Sequence, residues 1–273
     1  MTPKNLPETP SQPRKGHVRL KDIPPELIAR LNRGELETAT LSEQCALDIA
    51  ELIESLEGWA GDHAGLLRSV QQIRSQQHGI VARMRLTGEA AERHGAFDDH
   101  LALRQLMTHR SDTLRALAGY AIAAHPKLDL AEKLAAIRPL AADAHFGVRE
   151  WAWLALRPSV AAALESALDL LRTWVTDGNP NLRRFAVEIT RPRGVWTKHI
   201  PRLLETPHLG LPLLEPCNRD PSRYVQDSVA NWLNDAAKSQ PQWVRRVCAD
   251  WLERQPDSPY CRYIVRRAQR SIG

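Results

Sequence analysis

The sequence has little of what a disulfide scaffold, a zinc site or a membrane span requires. Four cysteines (Cys45, Cys217, Cys248 and Cys261) lie far apart among 273 residues, with no C-x-x-C pair. Zinc sites want closely spaced ligands and disulfide frameworks a higher density, so isolated buried thiols in a reducing, cytoplasmic setting are expected. Ten histidines are scattered without H-x-x-x-H spacing, and neither a metal nor another cofactor is expected. No apolar run approaches the roughly 18 to 20 residues of a membrane span. The longest, around Ala116 to Ala124, falls well short. The first 20 residues carry prolines and bases but no apolar stretch, which argues against a secretory signal. Phenylalanine and tyrosine are scarce, at three and four, against eight tryptophans. Acid is missing altogether from residues 261–273, where Arg262, Arg266, Arg267 and Arg270 fall together.

What is present is an ordinary globular balance, 43% hydrophobic and 25% charged, with a net charge of +5. A mild basic excess favours a polyanionic partner such as nucleic acid. Residues 1–22 combine Pro3, Pro7, Pro10 and Pro13 with several bases and read as a flexible basic arm. Residues 23–273 read as a single domain. Pro24-Pro25 suits the first turn of a helix, and helical spacing runs from there to the end. Leu27, Ile28 and Leu31 share a face, as do Leu41, Cys45, Leu47, Ile49, Leu52 and Ile53. No series of alternating strands is evident. The fold class is all-α.

An internal repeat sharpens this. Asp143 is followed by Val148-Arg149 and Ala152, Asp177 by Leu182-Arg183 and Ala186, and Asp220 by Val225-Gln226 and Val229, all at the same offsets. Asp112 with Leu114-Arg115 and Ala118 begins the series more weakly, and Asp257 with Arg262 and Val265 closes it. Two copies end alike, in Arg157-Pro158 and Arg191-Pro192. Such periods are the signature of a HEAT-like α-solenoid, curved, in which each helical pair buries its apolar stripe only by stacking on its neighbours. Asn181 and Ser222 are the expected N-caps.

Counted from each Asp, Val148, Trp151, Ala152 and Ala155, then Leu182, Phe185, Ala186 and Ile189, then Val225, Ser228, Val229 and Trp232 form the inward face. The opposite wall carries Glu150, Leu154 and Arg157, then Arg184, Glu188 and Arg191, then Asp227, Asn231 and Asn234. Arg184 and Glu188, four residues apart, face the same way. By itself such a wall is a solvated surface whose ion pairs are worth under about 1 kcal/mol.

Three segments go further: F-G-V-R-E-W-A-W at Phe146–Trp153, N-P-N-L-R-R-F-A-V-E at Asn179–Glu188 with R-P-R-G-V-W at Arg191–Trp196, and D-P-S-R-Y-V-Q-D-S-V-A-N-W-L-N-D at Asp220–Asp235. They closely resemble the DNA alkylation repair proteins of the AlkC/AlkD type, the AlkC branch in particular, over roughly residues 20–270. The resemblance implies a curved HEAT-like solenoid whose concave face binds duplex DNA. It further implies a monofunctional glycosylase, working without metal, that removes N3- and N7-alkylated bases. Carried over by motif, Glu150, Arg184, Glu188 and Trp196 approach the lesion. Where the AlkD branch has a second tryptophan near Asn231, this chain has Trp232 one residue along, which favours the AlkC arrangement. The chain ends soon after its last basic helix, so no additional immunoglobulin-like domain is expected. Phosphate contacts are expected from Arg149, Arg183, Arg223 and Lys238, with Asn181, Ser222 and Asp227 beside them and a stripe of Arg262, Arg266 and Arg270 extending the track. A monomer suffices for wrapping a duplex. The competing readings are a non-catalytic HEAT-repeat scaffold and a damage-binding protein without catalysis.

Overall fold

A computed structural model describes residues 14–97 and 101–272, and among them every regular element is a helix. In chain order these are α1 (Pro25–Asn32), α2 (Leu41–Ala46), α3 (Ile49–Glu54), α4 (His63–Ser75), α5 (Ile80–Ala91), α6 (Leu101–Met107), α7 (Asp112–Ala124) and α8 (Leu130–Ala141). There follow α9 (Phe146–Ala162), α10 (Leu164–Leu171), α11 (Pro180–Ile189), α12 (Pro201–Glu205), α13 (Leu211–Leu214), α14 (Arg223–Ala237), α15 (Pro241–Arg254) and α16 (Pro259–Ala268). None is long and apolar enough to cross a membrane.

Helices α5, α7, α9, α11, α14 and α16 pack in succession as one layer, and α4, α8 and α15 back onto it, which is the expected two-layer solenoid. The inward face assigned from the repeat is buried at every position, from Val148 and Trp151 through Phe185 to Trp232. Trp232 is wholly enclosed and donates its indole N–H to the Thr190 carbonyl, 2.9 Å away. It therefore serves the core, and its one-residue shift from Asn231 is a shift out of the cleft.

The repeated Asp and Arg have a structural cause. Asp143, Asp177 and Asp220 each accept a hydrogen bond from the backbone N–H two residues on, at 2.7, 2.8 and 2.8 Å, folding the loop that opens the next helix. Six residues after each Asp, the Arg or Gln donates back to that Asp's carbonyl: Arg149 at 2.6 Å, Arg183 at 2.8 Å and Gln226 at 2.7 Å. The carboxylate oxygens also take a guanidinium from the preceding repeat: Arg115 on Asp143, Arg138 on Asp177, Arg183 on Asp220. The motif is a staple between successive repeats.

This frame corrects the two outer copies. Arg115 reaches back to the carbonyls of His109 and Arg110, and the His109 ring accepts from the Ser111 N–H, so His109 holds the Asp position. Asp112 is buried elsewhere, bonded to Thr38 and Gln44. At the other end Arg262 bonds the carbonyl of Pro256, not that of Asp257. One N-cap shifts as well: Asn179, not Asn181, caps α11. Ser222 stands at the N-cap of α14, as expected, with no side-chain cap bond. The Arg-Pro endings also diverge, because α9 continues through Pro158 to Ala162 while α11 stops before Pro192. Arg157 borders the cleft but offers it no free guanidinium. It is buried and donates to the carbonyls of Ile189, Arg191 and Lys198, terminating α11, and burial pushes its guanidinium down to about 10. Asn234 is similarly buried against Ala268 and Ser271.

Of the basic arm expected over residues 1–22, residues 1–13 lie outside the described residues. Residues 14–22 are tied down: Arg14 and the His17 backbone both bond the buried Glu43 carboxylate, at 2.6 and 3.0 Å. Thr40 and Ser42 donate to the carbonyls of His17 and Val18. The long face read from Leu41 to Ile53 is broken at Leu47-Asp48, where Asp48 caps α3, and Leu41 stands outside the core.

Candidate active site

The repeat sets the starts of α9, α11 and α14 side by side, and one cleft of about 390 Å³ opens against them. Glu150 comes from α9, Arg184 and Glu188 from α11, and Tyr224, Asp227 and Ser228 from α14. Trp196 enters from the loop after α11. That loop is closed by Ile200 N–H on the Pro192 carbonyl and Gly194 N–H on His199. A Cβ at Gly194 would sit 2.3 Å from the Thr197 carbonyl oxygen, so the turn that presents Trp196 requires glycine there. The four residues expected at the lesion thus line one cavity.

The two carboxylates differ in character. Glu150 keeps 34% of its side chain accessible, Glu188 only 6%. Glu150 Oε1 receives Arg184 Nη1 at 2.7 Å and the Tyr224 hydroxyl at 3.3 Å, while Oε2 receives the Trp153 indole N–H at 2.9 Å. Glu188 Oε1 takes Arg191 at 2.7 Å, and Oε2 takes the Ser228 hydroxyl at 2.6 Å with Arg184 Nη2 at 3.6 Å. Burial works to raise the Glu188 pKa. The guanidiniums of Arg184 and Arg191 and the Ser228 hydroxyl outweigh it and hold the carboxyl below its ordinary value. Arg191 is itself anchored by Asp235 at 2.7 Å. The result is an alternating chain, Glu150–Arg184–Glu188–Arg191–Asp235, in which every acid faces a guanidinium rather than another acid.

Tyr224 is a participant that sequence reasoning missed. Its ring lies under two guanidiniums, those of Arg184 at 4.7 Å and Arg149 at 5.1 Å, and burial raises its hydroxyl pKa. The repeat offers no warning, because the equivalent offsets hold Gly147 and Asn181. Trp153 lies in the first of the three family-like segments, where nothing in its spacing marks a role.

The expected phosphate contacts divide. Arg183 is spent: its Nε and Nη2 pair with Asp220 at 2.6 and 2.9 Å and its Nη1 bonds two carbonyls. Arg149 holds its own loop with Nη1 and turns Nε toward the Tyr224 hydroxyl at 3.4 Å. Both hold the loop that opens their own helix. Asn181, Ser222, Arg223 and Lys238 do not line the cleft, whereas Asp227 does. Arg223 is exposed and lies 3.4 Å over the ring of Tyr263, which also carries Arg266 and Arg267 within 5.7 Å. Lys238, beyond the end of α14, is exposed and 3.8 Å from Asp235. In the C-terminal stripe, Arg270 reaches Asn231 at the cleft, and Arg262 and Arg266 face outward. Among the described residues no group of His, Cys, Asp or Glu side chains gathers in a way that could hold a metal.

Residues 148–268 match the DNA alkylation repair enzyme family. The family resemblance read from the three sequence segments is thereby borne out, and the matched stretch begins in α9 and ends in α16. The protein YhaZ of Bacillus subtilis is 37% identical over 118 residues, which are 43% of this chain and 32% of YhaZ. Among solved structures, Pseudomonas fluorescens alkylpurine DNA glycosylase AlkC, bound to DNA containing an abasic site analog, superposes with a TM-score of 0.69. The two are 22% identical, and the match covers 94% of this chain and 65% of AlkC. AlkD2 from Streptococcus mutans superposes with a TM-score of 0.55 at 20% identity, covering 81% of this chain and 96% of AlkD2. At these identities the superpositions establish a shared helical-repeat fold. The chain spans about a third of YhaZ and under two thirds of AlkC.

Proposed function

We propose that this protein is a monofunctional DNA glycosylase that hydrolyses the N-glycosidic bond of cationic N3-alkylated bases such as 3-methyladenine in duplex DNA. Purines alkylated at N7 carry the same charge and fall within the same reading. The observation that carries this reading is Glu150, half-exposed in the cleft, held by Arg184, Tyr224 and Trp153 beside the exposed Trp196.

A purine alkylated at N3 carries a formal positive charge and leaves as a neutral base, so little acid help is needed at the base. Breaking the bond builds positive charge on the deoxyribose, as in other glycoside cleavages. A preorganised carboxylate facing the sugar stabilises that charge most where water is thinned out. Glu150 would do this directly and accept the proton of the attacking water, which adds to C1′ as the base departs. Glu188 is too enclosed to meet the sugar and would act through Arg184, adding negative potential and fixing the guanidinium that fixes Glu150. Trp196 would lay its ring against the sugar or the cationic base.

The test is incubation with methylated duplex DNA followed by chromatographic identification of the released bases. Wild-type protein should release 3-methyladenine, and Glu150→Gln should bind DNA yet release little. Binding without release by the wild type would instead favour a damage-binding protein. Absence of both would leave the scaffold reading.

A further inference from the structure

A soluble surface rarely gathers large apolar side chains in one place unless they meet a partner. Here four of the exposed ones gather at one cleft. Leu41 and Phe146, each 42% exposed, and Val195, 73% exposed, line the same cleft as Trp196. Leu41 is the first residue of α2 and Phe146 the first of α9. The two helix starts are locked together: the Trp151 indole N–H donates to Gln44, His145 bonds the Thr38 carbonyl, and a Cβ at Gly147 would sit 2.6 Å from Gln44. Leu41 and Phe146 are therefore carried on a rigid base, and the core has no use for them at these positions.

Their surroundings choose the partner. On one flank Glu43 ties down the segment that exposes Lys15 and Lys21. On the other, Arg223 and Arg266 gather at Tyr263, whose hydroxyl bonds the cleft residue Asp227 at 2.6 Å. An apolar lip between two basic flanks suits a duplex, whose phosphates meet the flanks while its stacked bases meet the lip. We propose that Leu41 and Phe146 form an apolar wedge that enters the duplex beside the lesion and unstacks the neighbouring base step. The inference rests on the duplex-DNA reading above and adds to it the residues that open the helix toward Glu150. Apolar wedges of this kind exchange base stacking for a kinked duplex that presents more of itself to the protein.

The experiment uses the full chain with two duplexes of one sequence. Both contain an abasic-site analog and a neighbouring 2-aminopurine; one is fully paired and the other carries a two-nucleotide bulge that already kinks it. Wild-type protein should raise 2-aminopurine emission on the paired duplex. The Leu41→Ser/Phe146→Ser double variant should lose that rise and bind the paired duplex about tenfold more weakly, while binding the bulged duplex as wild type does. Leu41→Met/Phe146→Leu should restore the rise. An unchanged rise in the Ser variant, or equal weakening on both duplexes, would overturn the wedge. If the wild type releases bases from methylated DNA but gives no rise, the wedge fails and the glycosylase reading stands. If it neither binds DNA nor releases bases, both fall.

Discussion

Arg184 Nη1 lies 2.7 Å from Glu150 Oε1, so the start of α9 and the middle of α11 are joined by a charge pair at the back of the cleft. The pair has one member facing solvent and one enclosed, and Glu188 lies behind it. Removing charge at the two carboxylates should therefore have unequal consequences.

Glu150→Gln leaves Arg184 with Glu188 as a counter-ion, and stability should change by no more than about 1 kcal/mol. Glu188→Gln takes the shared counter-ion from Arg184 and Arg191 in a dry environment, leaving Glu150 and Asp235 as their remaining counter-ions there, and breaking a buried pair from one side costs about 3 to 5 kcal/mol. Base release should fall sharply in both. Melting curves beside release assays separate them, and equal melting temperatures would show that Glu188 is not the buried keystone of the chain.

Arg183 and Arg223 were expected to share one task, and the structure gives them different ones. Arg183→Ala removes the Asp220 staple between α11 and α14, so it should lower the melting temperature clearly. Arg223→Ala with Arg266→Ala should leave melting unchanged. It should instead weaken DNA binding and reduce the slope of log affinity against log salt by about 2, one phosphate contact per arginine. Titrations at several salt concentrations read this directly.

The solenoid and its inward face were legible because burial acts on a period. Val148, Leu182 and Val225 repeat at one offset, and each must face its neighbour layer or leave apolar surface in water. The cleft acids were legible for a related reason, since the segments around Glu150 and Glu188 match a family pattern. Partner choice among arginines was not legible. Arg149 and Arg183 occupy the same offset, yet Arg183 finds Asp220 while Arg149 turns to Tyr224, because Arg138 has already taken Asp177. Leu41 fits an apolar helical face as well as its neighbours do. Only the break at Asp48 shows that it lies outside the core.

Tyr224 offers a test of how tightly Glu150 must be held. Tyr224→Phe keeps the ring beneath Arg184 and deletes the hydroxyl that donates to Glu150 at 3.3 Å. The turnover rate should drop about tenfold, in keeping with the loss of one hydrogen bond to a charged group at the low end of its range, about 1.5 kcal/mol. DNA affinity should hold. Tyr224→Leu removes the ring as well and should cost substantially more. Single-turnover release rates distinguish the two, and a Phe variant as fast as wild type would take the hydroxyl out of the mechanism.

The anchor of the basic segment makes a prediction in pH. Burial works to raise the pKa of Glu43, but the Arg14 guanidinium, the Ala39 and His17 N–H groups and the His17 ring overcome it and lower the carboxyl from 4.5 to about 2. A carboxylate whose pKa is depressed by folding stabilises the folded state fully above its unfolded value. That contribution fades as pH falls through the native one. The Glu43 share should thus be complete at pH 7, begin to fall below about pH 4.5 and be gone near pH 2. In Glu43→Gln the same share is absent at every pH, so the stability gap between variant and wild type should be constant above pH 5 and should close on acidification. Denaturant titrations at stepped pH measure that gap. If it stayed the same size down to pH 2, the Arg14–Glu43 pair would not be what ties residues 14–22 to α2.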